Sequence, residues 1–282
     1  MADPFAVVDN ATLYRGNALE VLRGLPEGST DLLVTSPPYW QIKDYMEEGQ
    51  IGHGQSYEMY LADLSLVIAE CHRLLRPGCR MAVNIGDQYL RASEHERYRV
   101  QPIPADLIRA AVAGGFDFMG NIIWRKVSTT NPSGGGTLMG SMYYPKDGHV
   151  TYEHEYIILF RKQGKWRKPT EEQRERSRLT KEQRSEWFRG YWDFSPVRQS
   201  THPAAFPEEL PRRLILMYTF WGETVLDPFV GSGTTCVAAA SGGRASIGVD
   251  LSKEYLDLAV KRLSGKLAET GLRLAPKDEP SA

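Results

Sequence analysis

The sequence predicts an α/β fold, a mostly parallel sheet with helices on both faces, and three observations carry that prediction. Strand-length apolar runs alternate with longer segments of helical period. One unit, from Thr224 to Asp250, reads in succession as strand, glycine turn, helix and strand, the order that gives parallel neighbours. The chain is also large enough. Its 282 residues, 41% hydrophobic with six tryptophans, suffice for one large α/β domain with an insertion, or for two small domains.

The elements follow in order. Asp31 to Thr35 is a strand. Glu58 to Leu75 is a helix, because Leu61, Leu64, Ile68, Cys71 and Leu75 share one face and Arg76-Pro77-Gly78 stops it. Arg80 to Ile85 is the next strand and runs into Asn84-Ile85-Gly86-Asp87. A helix begins at Pro104 and halts after Ala113, before Gly114-Gly115. Asn121 to Lys126 and Tyr156 to Arg161 are expected as antiparallel strands. Glu208 to Phe220 is a helix, and Lys253 to Leu267 closes the fold.

Two stretches interrupt this pattern. Ser128 to Val150 is rich in Gly, Ser, Thr and Tyr around Gly134-Gly135-Gly136; a loop that long is usually functional or mobile. Arg161 to Arg189 holds eleven Lys/Arg and five Glu, a local +6, so the overall −1 leaves −7 elsewhere. The overall charge alone argues against a nucleic-acid binder. The basic stretch, with Trp166, Trp187, Phe188, Tyr191 and Trp192 in or beside it, suits a surface that contacts a nucleic-acid backbone. A solvated helix of alternating charge from Glu171 to Glu186, or a dimer contact, has the same composition.

Cysteine usage and targeting signals are quickly read. Cys71, Cys79 and Cys236 are odd in number and match no ligand spacing, so neither a disulfide framework nor a metal site is expected. Met1-Ala2-Asp3-Pro4 lacks an export pattern and no apolar run approaches a membrane span, so a soluble, cytoplasmic protein is expected.

The chemistry concentrates in Thr35-Ser36-Pro37-Pro38-Tyr39-Trp40. An amine on a heteroaromatic ring is a poor nucleophile, since its lone pair is delocalised. Methylating it requires acceptors that hydrogen-bond its N–H groups and draw the lone pair out. Ser36 and the Pro37 carbonyl are such acceptors, and Pro37-Pro38 hold them stiffly with no N–H of their own. Tyr39 supplies a flat face for a base. Taken alone, the tetrapeptide reads equally well as a strand ending in a Pro-Pro turn.

A second motif breaks the tie. Asp227-Pro228-Phe229-Val230-Gly231-Ser232-Gly233-Thr234-Thr235 follows a buried strand and opens a helix through Cys236 to Ala240. Such a turn lets backbone approach a ligand and presents N–H groups at the helix start. The next strand ends at Asp250, about 20 residues beyond the first glycine, the usual place for an acid that grips ribose hydroxyls. Cys236 stands where a dinucleotide fingerprint wants Gly or Ala, and the turn has no phosphate-loop lysine. Asp227 would repel a pyrophosphate and suit a cation. These features describe a phosphate-free, cationic nucleoside, for which S-adenosylmethionine is the obvious candidate.

With both motifs in view, the chain resembles, over nearly its whole length, the amino-group DNA methyltransferases of bacterial modification systems. The order is the permuted, beta-class one, with the catalytic motif before the cofactor motif. The resemblance implies a Rossmann-like, S-adenosylmethionine-dependent methyltransferase fold. It assigns Ser36, Pro37, Pro38 and Tyr39 to catalysis. Asn17 and Ala18, in the segment Tyr14 to Glu20, would meet the cofactor's adenine; His202 and Phe206 would lie beside its methionine end; and Asp227, Pro228, Phe229, Gly231, Ser232, Gly233, Thr234 and Asp250 would complete that site. Trp124, Arg125 and Lys126, with Glu153-His154-Glu155-Tyr156, resemble paired strands near the target base.

Relatives often carry Asp at positions 17 and 36. Serine at 36 is the form more typical of cytosine-N4 enzymes, with adenine N6 as the alternative and a catalytically silent DNA-binding protein as a different class. Asn17 still offers an amide oxygen to adenine. Asp87 and Asn84 could support Ser36, Trp40 could stack or serve the core, and Glu153 and His154 could approach the base. The implied partners are double-stranded DNA, a separately acting restriction endonuclease and a second copy of the chain. Residues 1–127 would form the catalytic half, 128–196 the DNA-reading insertion with strand 156–161 returning to the sheet, 197–270 the cofactor half and 271–282 a flexible tail.

Overall fold

The computed structural model describes residues 3–41, 47, 49–90, 92–93, 95–126, 153–196 and 206–270. The chain opens with β1 (Ala6–Val8), β2 (Ala11–Arg15) and α1 (Ala18–Arg23), followed by β3 (Thr30–Thr35), α2 (Tyr57–Leu74) and β4 (Leu75–Ile85). A small two-stranded sheet, β5 (Gln88–Leu90) with β6 (Arg99–Gln101), precedes α3 (Ile103–Ala113), β7 (Phe116–Lys126) and β8 (His154–Lys162). Next come α4 (Glu171–Arg176), α5 (Lys181–Trp187), β9 (Tyr191–Phe194) and α6 (Glu209–Tyr218). The chain then runs through β10 (Thr224–Asp227), α7 (Thr234–Ser241), β11 (Ala245–Asp250) and α8 (Lys253–Thr270).

Nine strands make one sheet in the order β1-β2-β11-β10-β3-β4-β8-β7-β9. Within it only β1 and β8 run against the rest. Arg15, Thr35, Ile85, Asp227 and Asp250 therefore all emerge at one edge, and the reversed β8 brings its first residues to the same edge. The path along the sheet reverses between β10 and β3, where Val225 pairs with Leu32 and Leu226 with Leu33. Open α/β sheets bind ligands at such a switch point.

Burial on both faces explains the unbroken apolar run of β3. Leu33, Met81, Val83 and Leu226 pack towards α1, α2 and α3. Leu32, Val34, Ala82 and Val225 alternate to the other face, against α6 and the tryptophans Trp187 and Trp192.

Several expectations change. The stop foreseen at Arg76-Pro77-Gly78 lies inside β4, because Leu75 already pairs with Thr30. The Glu171 to Glu186 stretch is two short helices, each opened by a threonine–glutamine capping box, at Thr170 with Gln173 and at Thr180 with Gln183. Trp187 and Trp192 are buried in the core, whereas Trp166, Phe188 and Tyr191 are exposed; only the latter three fit a contact surface. The strand carrying Trp192, β9, lies beside β7 in the main sheet. Residues 128–150 and 271–282 lie outside the described ones, in which no helix is long and apolar enough to cross a membrane.

Candidate active site

The two sequence motifs meet through a buried hydrogen bond. β3 and β10 are neighbours, so Thr35 and Asp227 end side by side, and the Thr35 hydroxyl donates to Asp227 Oδ1 at 2.7 Å. The Thr235 hydroxyl donates to Oδ2 at 2.6 Å, and the Phe229 N–H to Oδ1 at 3.1 Å. Burial pushes the Asp227 carboxyl up to about 6, against the pull of these bonds. A buried carboxylate requires such donors. The sequence assigns Asp227 to a cation; both its oxygens instead tie the Ser36 loop to the glycine turn.

The turn is shaped from behind. Gly231 and Gly233 have φ of 50° and 83°, the left-handed region that favours glycine. A Cβ on Gly233 would stand 2.7 Å from the Ala259 Cβ on α8. From that helix Arg262 donates to the Ser232 carbonyl at 2.8 Å, the Ser232 hydroxyl at 2.9 Å and the Thr234 hydroxyl at 3.0 Å. Those two hydroxyls, expected on the cofactor, are engaged by α8.

Asp250 closes the front of the turn. It accepts the Gly231 N–H at 2.8 Å and the Ser252 N–H at 2.9 Å, and burial raises its carboxyl above the ordinary value. The Asn17 amide oxygen, expected to meet adenine, caps α1 by accepting the N–H groups of Leu19 at 2.9 Å and Glu20 at 3.4 Å. Ala18 is buried beside it, and Phe229 packs on the same core. Pro228 is buried at the start of the turn. Phe206 packs against the opposite face of the sheet, and His202 lies outside the described residues. Two buried acids at strand ends, flanking a glycine turn whose arginine lies behind it, fit a cationic nucleoside and disfavour a diphosphate.

The catalytic loop is held rigidly. Tyr60 donates to the Pro38 carbonyl at 2.9 Å. Trp40 takes φ of 32°, its indole N–H donating to the Gln55 carbonyl at 2.9 Å. It belongs to the core and is not a stacking platform. The Ser36 hydroxyl donates to the Tyr39 hydroxyl at 3.4 Å. Tyr39 donates onward to Glu155 Oε2 at 3.2 Å and accepts from the Asn84 amide at 2.9 Å, and that amide also donates to Glu155 Oε2 at 2.7 Å. Lys126 forms an ion pair with Glu155 Oε1. Burial, and then the charge of Glu155, hold the Tyr39 phenol well above its ordinary value.

Sequence reasoning offers Asp87 and Asn84 as supports for Ser36. Asn84 reaches the motif, through Tyr39, whereas Asp87 faces His154 and is hydrogen-bonded by Tyr156. Among the strand-end acids it considers Glu153 and gives no role to Glu155. The signal is available: Glu155 lies two residues before buried Ile157, and strand residues two apart share a face.

The DNA methylase family of N6 and N4 methyltransferases matches residues 30–261. The chain is 36% identical over 279 residues to the type II methyltransferase M.MthZI of Methanothermobacter thermautotrophicus, covering 90% of this chain and 77% of that protein. It is 35% identical over 276 residues to the type II methyltransferase M.Cfr9I of Citrobacter freundii, covering 92% and 89%. The crystal structure of TTHA0409, a DNA modification methylase from Thermus thermophilus complexed with S-adenosyl-L-methionine, superposes with a TM-score of 0.75 at 40% identity, over 90% of this chain and 93% of that one. With its two motifs clasped at the switch point of the sheet, and matched over most of its length, the chain belongs to the N6 and N4 DNA methylase family.

Proposed function

We propose that this protein is a sequence-specific DNA methyltransferase that moves a methyl group from S-adenosylmethionine to the N4 amine of cytosine. The observation that carries the reading is the Thr35–Asp227 hydrogen bond at 2.7 Å, which sets Ser36 beside the glycine turn. The backbone of Gly231 to Thr234, together with Asp250 and the Asn17–Ala18 segment, would hold the cofactor, whose sulfonium supplies an electrophilic methyl.

A base inside a duplex cannot reach this edge, so it must rotate out, at a cost on the order of a few kcal/mol. Tyr39 offers it a ring face, and the Ser36 oxygen and Pro37 carbonyl accept its amine N–H bonds. The lone pair then points at the methyl; the N–C bond forms as the C–S bond breaks, and the extra amine proton leaves to solvent. Positioning supplies much of the rate. Serine at 36 supports cytosine over adenine, whose N6 amine the same acceptors could hold.

The test is to methylate DNA with the purified protein, digest it and identify the modified nucleoside by mass. N4-methylcytosine is expected. N6-methyladenine alone would overturn the choice of base, and no methyl transfer to any DNA would overturn the reading altogether.

A further inference from the structure

The hydrogen bonds around Tyr39 have a direction, and Glu155 sets it. An ionised carboxylate only accepts, so the Tyr39 hydroxyl must donate towards Glu155 at 3.2 Å. Its lone pairs then face the donors: the Asn84 amide at 2.9 Å and the Ser36 hydroxyl at 3.4 Å. The Asn84 amide is oriented by the same logic, since only its nitrogen can face Oε2 at 2.7 Å. Lys126, paired with the other oxygen, favours the charged form. With the Ser36 proton drawn towards Tyr39, the lone pairs of Ser36 remain for an incoming N–H.

We propose that Glu155 is a positioning residue of this enzyme: as the acceptor-only end of a Ser36–Tyr39–Glu155 chain, it fixes Ser36 as an acceptor for the target amine. The inference rests on the methyltransferase reading and adds a residue to it. A neutral amide at position 155 can donate to Tyr39 and reverse the chain. Tyr39 would then donate to Ser36, and the Ser36 proton would turn towards the amine and repel it.

The test is a double-mutant cycle on Glu155→Gln and Tyr39→Phe, read as kcat for DNA methylation with cofactor affinity and melting temperature measured alongside. Glu155→Gln is expected to lower kcat about 100-fold, the scale on which misplaced catalytic groups act, while cofactor affinity stays at the wild-type value. In the Tyr39→Phe background, where the chain is already cut, the same substitution should change kcat less than about threefold. If Glu155→Gln does not fold, Tyr39→Phe alone reads the same chain, and unchanged kcat there overturns the proposal. Wild-type kcat in Glu155→Gln, or equal losses in both backgrounds, also overturns it. A wild-type protein that methylates no DNA refutes the parent reading instead.

Discussion

Replacing Thr35 with valine removes one buried donor and little else, since the two side chains have nearly the same shape. The lost bond is the one to Asp227 Oδ1 at 2.7 Å, leaving Thr235 and the Phe229 N–H as donors. A hydrogen bond to a charged group contributes about 1.5–3 kcal/mol and a neutral one about 1 kcal/mol. The cost should therefore depend on whether Asp227 is ionised.

In the unfolded chain that carboxyl has the ordinary value of 3.8, and in the fold it rises to about 6. The folded state holds the extra proton between those values, so the contribution of Asp227 to stability is full below the window and falls as pH rises through it. Thr35 opposes the rise, so Thr35→Val should push the carboxyl higher still. Urea unfolding followed by tryptophan fluorescence should show a loss of about 2–3 kcal/mol at about pH 7.5 and about 1 kcal/mol at about pH 5. A loss that is equal at both pH values, or below about 0.5 kcal/mol at the higher, would refute the clamp.

Three further outcomes follow from the same geometry. Gly233→Ala must hold φ of 83° with a Cβ 3.0 Å from the Ala259 Cα, and should cost about 2–4 kcal/mol by thermal melting. Arg262→Met removes all three bonds on the back of the turn; cofactor affinity by calorimetry should fall about tenfold, with kcat at saturation little changed. Trp192→Ala empties a site only 1% exposed and should cost about 3–5 kcal/mol, whereas Trp166→Ala, at a residue 54% exposed, should stay within about 0.5 kcal/mol.

The main elements are legible because their signals are local. The apolar run before Ser36, the one-sided period of α2 and the strand–turn–helix order around Gly231 need no tertiary information. Strands β1, β2 and β9 escape such a reading, being three to five residues long and dependent on neighbours that sequence does not reveal. Both motifs can be read, but the directions of their side chains cannot. Type and position place Asp227, Ser232, Thr234 and Asn17 on the cofactor. In the fold their polar atoms answer nearer needs: a buried charge requiring donors, a turn braced by Arg262, a helix requiring a cap. Trp187 and Trp192 mislead for a similar reason, since aromatic residues amid basic ones look alike whether they line a surface or fill a core. Glu155 goes unnoticed because its role depends on Tyr39, more than a hundred positions earlier in the chain.

The adjacency of β3 and β10 also bears on how genes for such enzymes can be arranged. What joins the base-holding loop to the donor-holding loop is a lateral pairing of strands and one carboxylate, not the polypeptide running between them. Segments carrying the two loops could swap places in the reading frame and still rebuild the same pocket, provided each brings its strand with its helix. Linear order is then a record of descent, while the contact between position 35 and position 227 is the constraint that selection must keep.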